Sequence, residues 1–138
     1  MSWDAVILRI RGPIRPAEEV AESEYLTLGS LESVTAAIQS AFPTVEWDGP
    51  TYAHGSLDEY TGITFELHEV EGYSFVGVSV SGSHDPIPPL LALAQANDWV
   101  IMDVQNGEFI DPANPSHEGW LGYRSLVDDI GRDESHEE

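Results

Sequence analysis

Four segments of the chain combine apolar residues with the two-residue alternation that is typical of β-strands. These segments span residues 3–10, 63–70, 73–80 and 99–104. Only Glu71 and Gly72 separate the second segment from the third, so we predict a hairpin there. The pair Asn106-Gly107 after the fourth segment favours a tight turn and a short return strand at 108–111, because Asn-Gly tolerates the positive φ values of such turns.

Helical spacing appears between and after these strands. The first predicted helix covers 30–42, with Ser30 as its N-cap and Pro43 beyond its end. Its apolar positions recur every three or four residues at Leu31, Val34, Ile38 and Ala41. The second helix begins after the cap Asp85 and Pro86, and Asn97 is its predicted left-handed terminator. An apolar stripe that includes Trp120, Tyr123, Leu126, Val127 and Ile130 predicts a closing helix ending at Gly131.

The predicted elements follow the order β-α-β-β-α-β, with a short strand and a closing helix added. This order indicates an α+β protein with the ferredoxin-like split β-α-β fold, whose two helices cover one face of an antiparallel sheet. In that fold the first and third strands are central, and the fourth pairs beside the first. We expect one domain at 1–131 and an acidic disordered tail at 132–138. Residues 44–62 are predicted to be irregular, with one short strand around 51–54, and one helical turn is predicted near 17–23.

The sheet face away from the helices is predicted from the same alternation. We expect Trp99, Ile101 and Asp103 to share this open face with Arg9, and Arg9 to form an ion pair with Asp103 across the strands. The expected apolar residues of the open face are Ala5, Ile7, Phe75 and Ile101. An exposed apolar sheet face can be buried by a second copy of the chain, so a homodimer is one alternative.

Charge is the most unusual property of the composition. The chain has 25 Asp and Glu against five Arg and no Lys, for a formal net charge of −20. Such a field repels phosphate backbones and attracts cationic surfaces, so we expect a basic protein partner and no nucleic acid. Acidity of this kind is also typical of surfaces adapted to solubility or to a high-salt host, and the sequence leaves that alternative open.

The sequence lacks the residues or motifs that several classes of chemistry require. Without Cys there is no disulfide, thiolate metal site or cysteine nucleophile. The five His residues do not follow metal-ligand spacing, and no nucleotide-binding glycine motif or serine nucleophile elbow occurs. We therefore expect no metal, no cofactor and no catalytic residue, and the alternative is a small ligand-binding or enzymatic domain. The short apolar run near the start fits neither a signal peptide nor a membrane span, so a cytoplasmic location is expected.

Two sets of candidate site residues follow. The first set would contact a basic partner, and consists of Asp58, Glu59, Glu66, Glu69, Glu71 and Glu108, with Trp47 as an aromatic anchor. The second would line a ligand or enzyme pocket on the open face, and consists of Arg9, Glu66, His68 and Asp103. Structural roles are the alternative for many of these side chains: turn capping for Glu108 and Asp111, and core packing for Trp47, Trp99 and Trp120.

Short motifs near both ends and after the first helix add a resemblance. They place Trp and Asp at Trp3, Asp4, Trp47, Asp48, Trp99 and Asp103, followed by Gly107, Ile110 and Asp111. In these positions, over roughly residues 2 to 127, the chain resembles a family of small uncharacterised bacterial proteins. In size and general character such proteins resemble the immunity proteins of bacterial toxin systems. The resemblance implies a non-enzymatic protein that neutralises a toxin domain, and it implies no catalytic residue.

Overall fold

The computed structural model describes residues 2–126. Its strands are β1 Trp3–Ile10, β2 Tyr25–Leu26, β3 Glu46–Trp47, β4 Tyr52–Asp58, β5 Thr61–Val70, β6 Tyr73–Ser81, β7 Val100–Asp103 and β8 Glu108–Phe109. Its helices are α1 Leu31–Ala41, α2 Ile87–Asn97 and α3, which is helical over the described residues 118–126. Two short 3-10 helices, Ala17–Glu19 and Glu22–Glu24, lie between β1 and β2. The predicted helix end at Gly131 and the predicted tail at 132–138 lie outside the described residues.

The strands form one antiparallel sheet, and the protein is of the predicted α+β class. Within the described residues, seven strands follow the order β3-β4-β5-β6-β1-β7-β8, and β2 pairs with the end of β1 as an eighth strand. The strands β5 and β6 form the predicted hairpin, with Gly72 at a φ of 96° in its turn. The strands β7 and β8 form the second predicted hairpin, with Gly107 at a φ of 70°. Both turns therefore use glycine where a left-handed backbone is needed.

The three helices pack on one face of this sheet, which we call the covered face. Phe42, just after α1, lies with its ring centroid 5.1 Å from that of Phe65 on β5. Trp120 of α3 meets Trp3 of β1 edge-on at 6.1 Å. The buried residues of α2 belong to the same core, namely Ile87, Leu90, Leu91, Leu93 and Ala94. The opposite side, which we call the open face, is covered by none of these three helices.

The pairing register fixes which side chains belong to each face. On the covered face, Phe65 lies opposite Val78, and Val78 lies opposite Ala5. On the open face, His68 lies opposite Phe75. The prediction that Ala5, Ile7 and Ile101 occupy the open face is wrong, because all three are buried under the helices.

Trp99 and Asp103 were also predicted on the open face, and this too is wrong. Both are buried in the covered face. The error has a physical origin: β1 carries apolar side chains on both faces, so its alternation does not identify the helix-covered one. Of the predicted open-face apolar residues, only Phe75 lies there.

Helix boundaries follow their caps closely. The Oγ of Ser30 accepts a hydrogen bond from the Ser33 amide at 3.1 Å, as predicted for the N-cap of α1. The Oδ1 of Asp85 accepts from the Ile87 amide at 2.9 Å at the start of α2. The prediction for the end of α2 is wrong by one residue: Asn97 remains in the helix, and Asp98 takes the left-handed conformation, with a φ of 59°.

Residues 44–62 are more regular than the sequence suggested. They contain β3 and the whole of β4, which extends well beyond the predicted 51–54. Gly55 interrupts the apolar pattern of β4 because the chain of Val45 passes close to it. A Cβ at position 55 would lie 3.1 Å from the Val45 Cα, which is tighter than an ordinary contact, so this glycine permits a close approach of two segments and does not mark a turn.

Candidate partner-binding surface

Four rings form a continuous row on the open face, which we call the aromatic row. It consists of Tyr25, Tyr73, Phe75 and His68. Consecutive ring centroids are separated by 5.9 Å, 6.2 Å and 4.7 Å. The alternation of β6 places Tyr73 and Phe75 on the same face, and pairing with β5 places His68 opposite Phe75. All four side chains are half-buried, so each presents part of its ring to solvent.

Apolar side chains continue from this row across β1 and β7. Val6 lies opposite Gly77 on one side and Met102 on the other, and Met102 lies opposite Phe109. Val6, Met102 and Phe109 are half-buried, and Val104 just beyond β7 is 51% exposed. A partly exposed apolar surface of this kind is typical of an interaction site.

Carboxylates border this surface. Glu66 lies on the open face opposite Gly77, with its side chain 62% exposed and its Oε1 3.7 Å from His68 Nε2. Further towards the β3 edge, Asp48 Oδ2 lies 3.1 Å from His54 Nε2. At the other end of β1, Asp4 accepts a hydrogen bond from the Ser79 hydroxyl at 2.7 Å. None of these three carboxylates pairs with an arginine of the described residues.

The carboxylates predicted to contact a partner do not form one cluster. Asp58 and Glu59 lie at the end of β4 and in the turn to β5, whereas Glu71 lies in the turn at the other end of β5. Glu66 is on the open face, but the alternation of β5 places Glu69 on the opposite side. The remaining member, Glu108, is exposed on the edge strand β8.

Asp58 has local partners of its own. Its Oδ1 accepts from the Tyr60 amide at 2.9 Å, and its Oδ2 lies 3.5 Å from His84 Nδ1. The backbone hydrogen bond from Tyr60 is the main cause that lowers the pKa of Asp58. This carboxylate therefore stabilises the β4–β5 turn. The predicted capping role of Asp111 is confirmed in the same way, since its Oδ1 accepts from the Ala113 amide at 2.9 Å.

The tryptophans are mainly packing residues. Trp99 and Trp120 are buried, and Trp99 Nε1 donates to the Leu28 carbonyl at 3.1 Å, so the core-packing interpretation is correct for both. Trp47 is half-buried and donates from Nε1 to Gln39 Oε1 at 2.9 Å. It lines a groove of about 530 Å³ between α1 and the β3–β4 turn, away from the aromatic row.

The four residues of the predicted pocket are not brought together. Glu66 and His68 are neighbours on the open face, but Asp103 lies on the covered face. Asp103 lies opposite Ala5, so Arg9 is roughly 13 Å further along β1 at the usual rise per residue. The predicted ion pair between Arg9 and Asp103 is therefore not formed. Arg9 lies opposite Leu26 of β2 instead.

Asp103 instead occupies a closed site beneath α3. It is 1% exposed, and Gly119 packs directly on its carboxylate, so that a Cβ at position 119 would lie 2.0 Å from Oδ2. Oδ1 accepts from the Gln105 amide at 2.9 Å, whereas Oδ2 and the nearby Trp3 Nε1 make no hydrogen bond within the described residues. Burial raises the pKa of Asp103 and the charge of Glu118 adds to this rise, while the Gln105 amide and the nearby Trp3 indole act in the opposite direction.

The remaining features of the described residues give no sign of a metal centre or a membrane segment. No group of three or more His, Asp or Glu side chains within residues 2–126 is arranged to hold a metal ion. No helix in that part of the chain has the length and apolar character needed to cross a bilayer.

Comparison of the chain with models of known protein families, with curated proteins and with solved structures found no match. The resemblance to small bacterial proteins therefore stays a prediction. The geometry that bears on function is the open face, with its aromatic row and its acidic border.

Proposed function

We propose that the protein is a non-enzymatic acidic binding protein whose open face engages a basic protein partner. One observation carries this proposal: a row of aromatic rings is accessible on an uncovered sheet face, and the carboxylates bordering it pair with no arginine of residues 2–126. Aromatic side chains are the residues that most often dominate the energy of protein interfaces. The surrounding carboxylates would steer and orient a cationic partner.

The net charge favours a basic partner over a second copy. Two copies, each with a formal charge of −20, repel one another, and this repulsion works against an interface between like faces. The apolar open face nevertheless makes the homodimer the second candidate. Sedimentation velocity at rising salt separates the two: a dimer that forms once charge is screened and is lost in Phe75→Ala would favour the homodimer.

The partner class we propose is a basic toxin domain, with this protein as a cytoplasmic immunity protein. The resemblance to small bacterial proteins supports this step. For the fold, we propose that β1, β5, β6 and β7 with α1 and α2 make a ferredoxin-like core. The strand order β5-β6-β1-β7 supports that assignment, because β1 and β6 are central and β7 lies beside β1.

The test begins with capture of partners at low salt, followed by titration calorimetry with each purified candidate. We expect a basic protein whose affinity falls steeply with salt and falls about tenfold or more in Phe75→Ala, equivalent to about 1.4 kcal/mol or more. Leu121→Ala is the matched control, because Leu121 is an exposed apolar residue on α3 and its loss should change the affinity less than twofold. A neutral or acidic partner, or equal affinity in Phe75→Ala, would refute the proposal.

A further inference from the structure

A cleft of about 540 Å³ opens at the Tyr25–Tyr73 end of the aromatic row. One side comes from the 3-10 helix Glu22–Glu24 and the start of β2, and the other from the β5–β6 turn. The lining residues are Ala21, Glu22, Ser23, Tyr25, Glu71, Gly72 and Tyr73. The two sides come from segments almost fifty residues apart, and only the fold brings them together.

We infer that this cleft receives an arginine side chain presented by the basic partner. The inference rests on the proposed function and adds the chemistry of one contact to it. It depends on an aromatic wall and two carboxylates in one concavity, a combination that suits a guanidinium group.

The aromatic wall consists of Tyr25 and Tyr73, whose rings lie 5.9 Å apart with an angle of 44° between their planes. A guanidinium group is planar, weakly hydrated and attracted to the face of an aromatic ring. Both tyrosines are half-buried, so their rings are held in place before a ligand arrives. Burial raises the pKa of Tyr25, and the neighbouring Tyr73 raises it further, so the phenol stays neutral at physiological pH.

The two carboxylates of the cleft are free to accept hydrogen bonds. Glu22 and Glu71 are both exposed, and neither forms an ion pair or a side-chain hydrogen bond within the described residues. Glu24, by contrast, pairs with Arg15 and also accepts a hydrogen bond from the Ala21 amide. The chain thus neutralises the carboxylate beside the cleft and leaves those in it without a cation. Carboxylates accept paired N–H bonds from arginine in a geometry that a lysine ammonium cannot reproduce.

NMR titration of the ¹⁵N-labelled full chain tests this site without knowledge of the partner. The probe is a capped tripeptide, Gly-Arg-Gly, and the comparison peptide replaces arginine with citrulline, which has a similar shape but no charge. We expect shifts concentrated at the amides of Ser23, Gly72 and Tyr73 with the arginine peptide, and at least tenfold weaker binding of the citrulline peptide. Equal binding of both peptides, or shifts centred elsewhere, would overturn the inference.

Paired variants then separate specific contact from general charge. Glu22→Gln with Glu71→Gln should weaken the arginine peptide about tenfold. Glu18→Gln with Glu19→Gln changes the net charge equally on the neighbouring 3-10 helix, and should change the affinity less than twofold. All four side chains are exposed, so both variants should keep the wild-type spectrum elsewhere. Equal weakening by the two pairs would mean that charge alone acts, and would overturn the inference.

The same variants distinguish failure of this inference from failure of the proposed function. If a purified basic partner loses affinity in Phe75→Ala but not in the Glu22 and Glu71 double variant, the proposed function stands and the arginine cleft is refuted. If the arginine peptide binds the cleft as expected while every captured partner is neutral or acidic, the cleft stands and the proposed function fails.

Discussion

Phe65 and Phe75 lie on adjacent strands of one hairpin and face opposite sides of the sheet. Phe65 is 0% exposed, packs against Phe42 and lies opposite Val78. Phe75 remains partly accessible and stacks on His68. The covered face is thus a completed core, whereas the open face has apolar rings but no element of the described chain that fully encloses them. Phenylalanine therefore stabilises the core on the covered face and remains accessible to a partner on the open face.

The carboxylates of the two faces differ in the same way, one being enclosed and the other exposed to solvent. Asp103 on the covered face is enclosed, with one oxygen that lacks a hydrogen bond within the described residues. Glu66 on the open face is well solvated, and its one ion pair within the described residues is with His68. An enclosed charge reduces the free energy of unfolding, while a solvated one costs little and stays available to a partner. The comparison therefore predicts that substitutions on the two faces will separate stability from binding.

The largest expected effect tests the two phenylalanines directly. Phe65→Ala should lower the free energy of unfolding by about 3–5 kcal/mol, because it leaves a cavity in a closed core. Phe75→Ala should lower it by roughly 1 kcal/mol, since the ring is already partly solvated. Urea denaturation followed by tryptophan fluorescence measures both values. Equal losses would mean that the open face is as much a core as the covered one.

The contact between α3 and Asp103 gives the next effect. Gly119→Ala places a methyl group against the enclosed carboxylate and should destabilise the fold by roughly 1–3 kcal/mol. Gly122→Ala is the matched control in the same helix, since nothing lies within 4 Å of its added Cβ. There we expect a gain of about 0.5–1 kcal/mol from helix propensity. A neutral Gly119→Ala would show that α3 does not rest on Asp103.

The pH dependence of Asp103 follows from the sign of its shift. Burial raises the pKa of Asp103 in the folded state above the ordinary value of 3.8. Its contribution to the free energy of unfolding is therefore complete below that value and is lost as the pH rises through the raised folded-state pKa. Asp103→Asn removes this titration. The free energy of unfolding of the variant relative to wild type should therefore rise across that pH range, by roughly 1–3 kcal/mol at neutral pH. A difference that is flat from pH 3 to pH 8 would contradict the enclosed site.

The smallest stability effect is expected on the open face. Glu66→Gln should change the free energy of unfolding by less than about 0.5 kcal/mol, because an exposed pair with His68 at 3.7 Å is largely screened. The same variant should slow association with a basic partner at low salt, and stopped-flow kinetics would show it. A large stability loss without any change in association would place Glu66 with the structural carboxylates.

Local signals in the sequence were sufficient to predict most helices and strands. Ser30, Asp85 and the glycines of the two hairpins mark boundaries through hydrogen bonds and backbone angles that act over a few residues. The assignment of faces needed more than local information. Because Val6 and Ile7 are neighbours in one apolar strand, only the packing of the helices decides which of them becomes core.

The candidate site was predicted less completely than the fold. Glu66, Glu71 and His68 were identified from their charge or ring type, but Tyr25 lies in a segment that reads as a connection. Its proximity to Tyr73 depends on the pairing of β2 with the end of β1. Asp103 was misplaced together with Trp99 and Ile101, whose shared face was assigned by alternation alone, and its enclosure depends on the distant Gly119. Long-range contacts of this kind have no short-range signal.

The outermost strands of the sheet, β3 and β8, are two residues long, and each begins with an exposed glutamate. Long, uncharged edge strands can pair with strands of other molecules and lead to fibrils, whereas short, charged edge strands disfavour such pairing. Edge-to-edge addition of further copies is therefore disfavoured at both edges. Concentrated solutions should remain free of ordered aggregates.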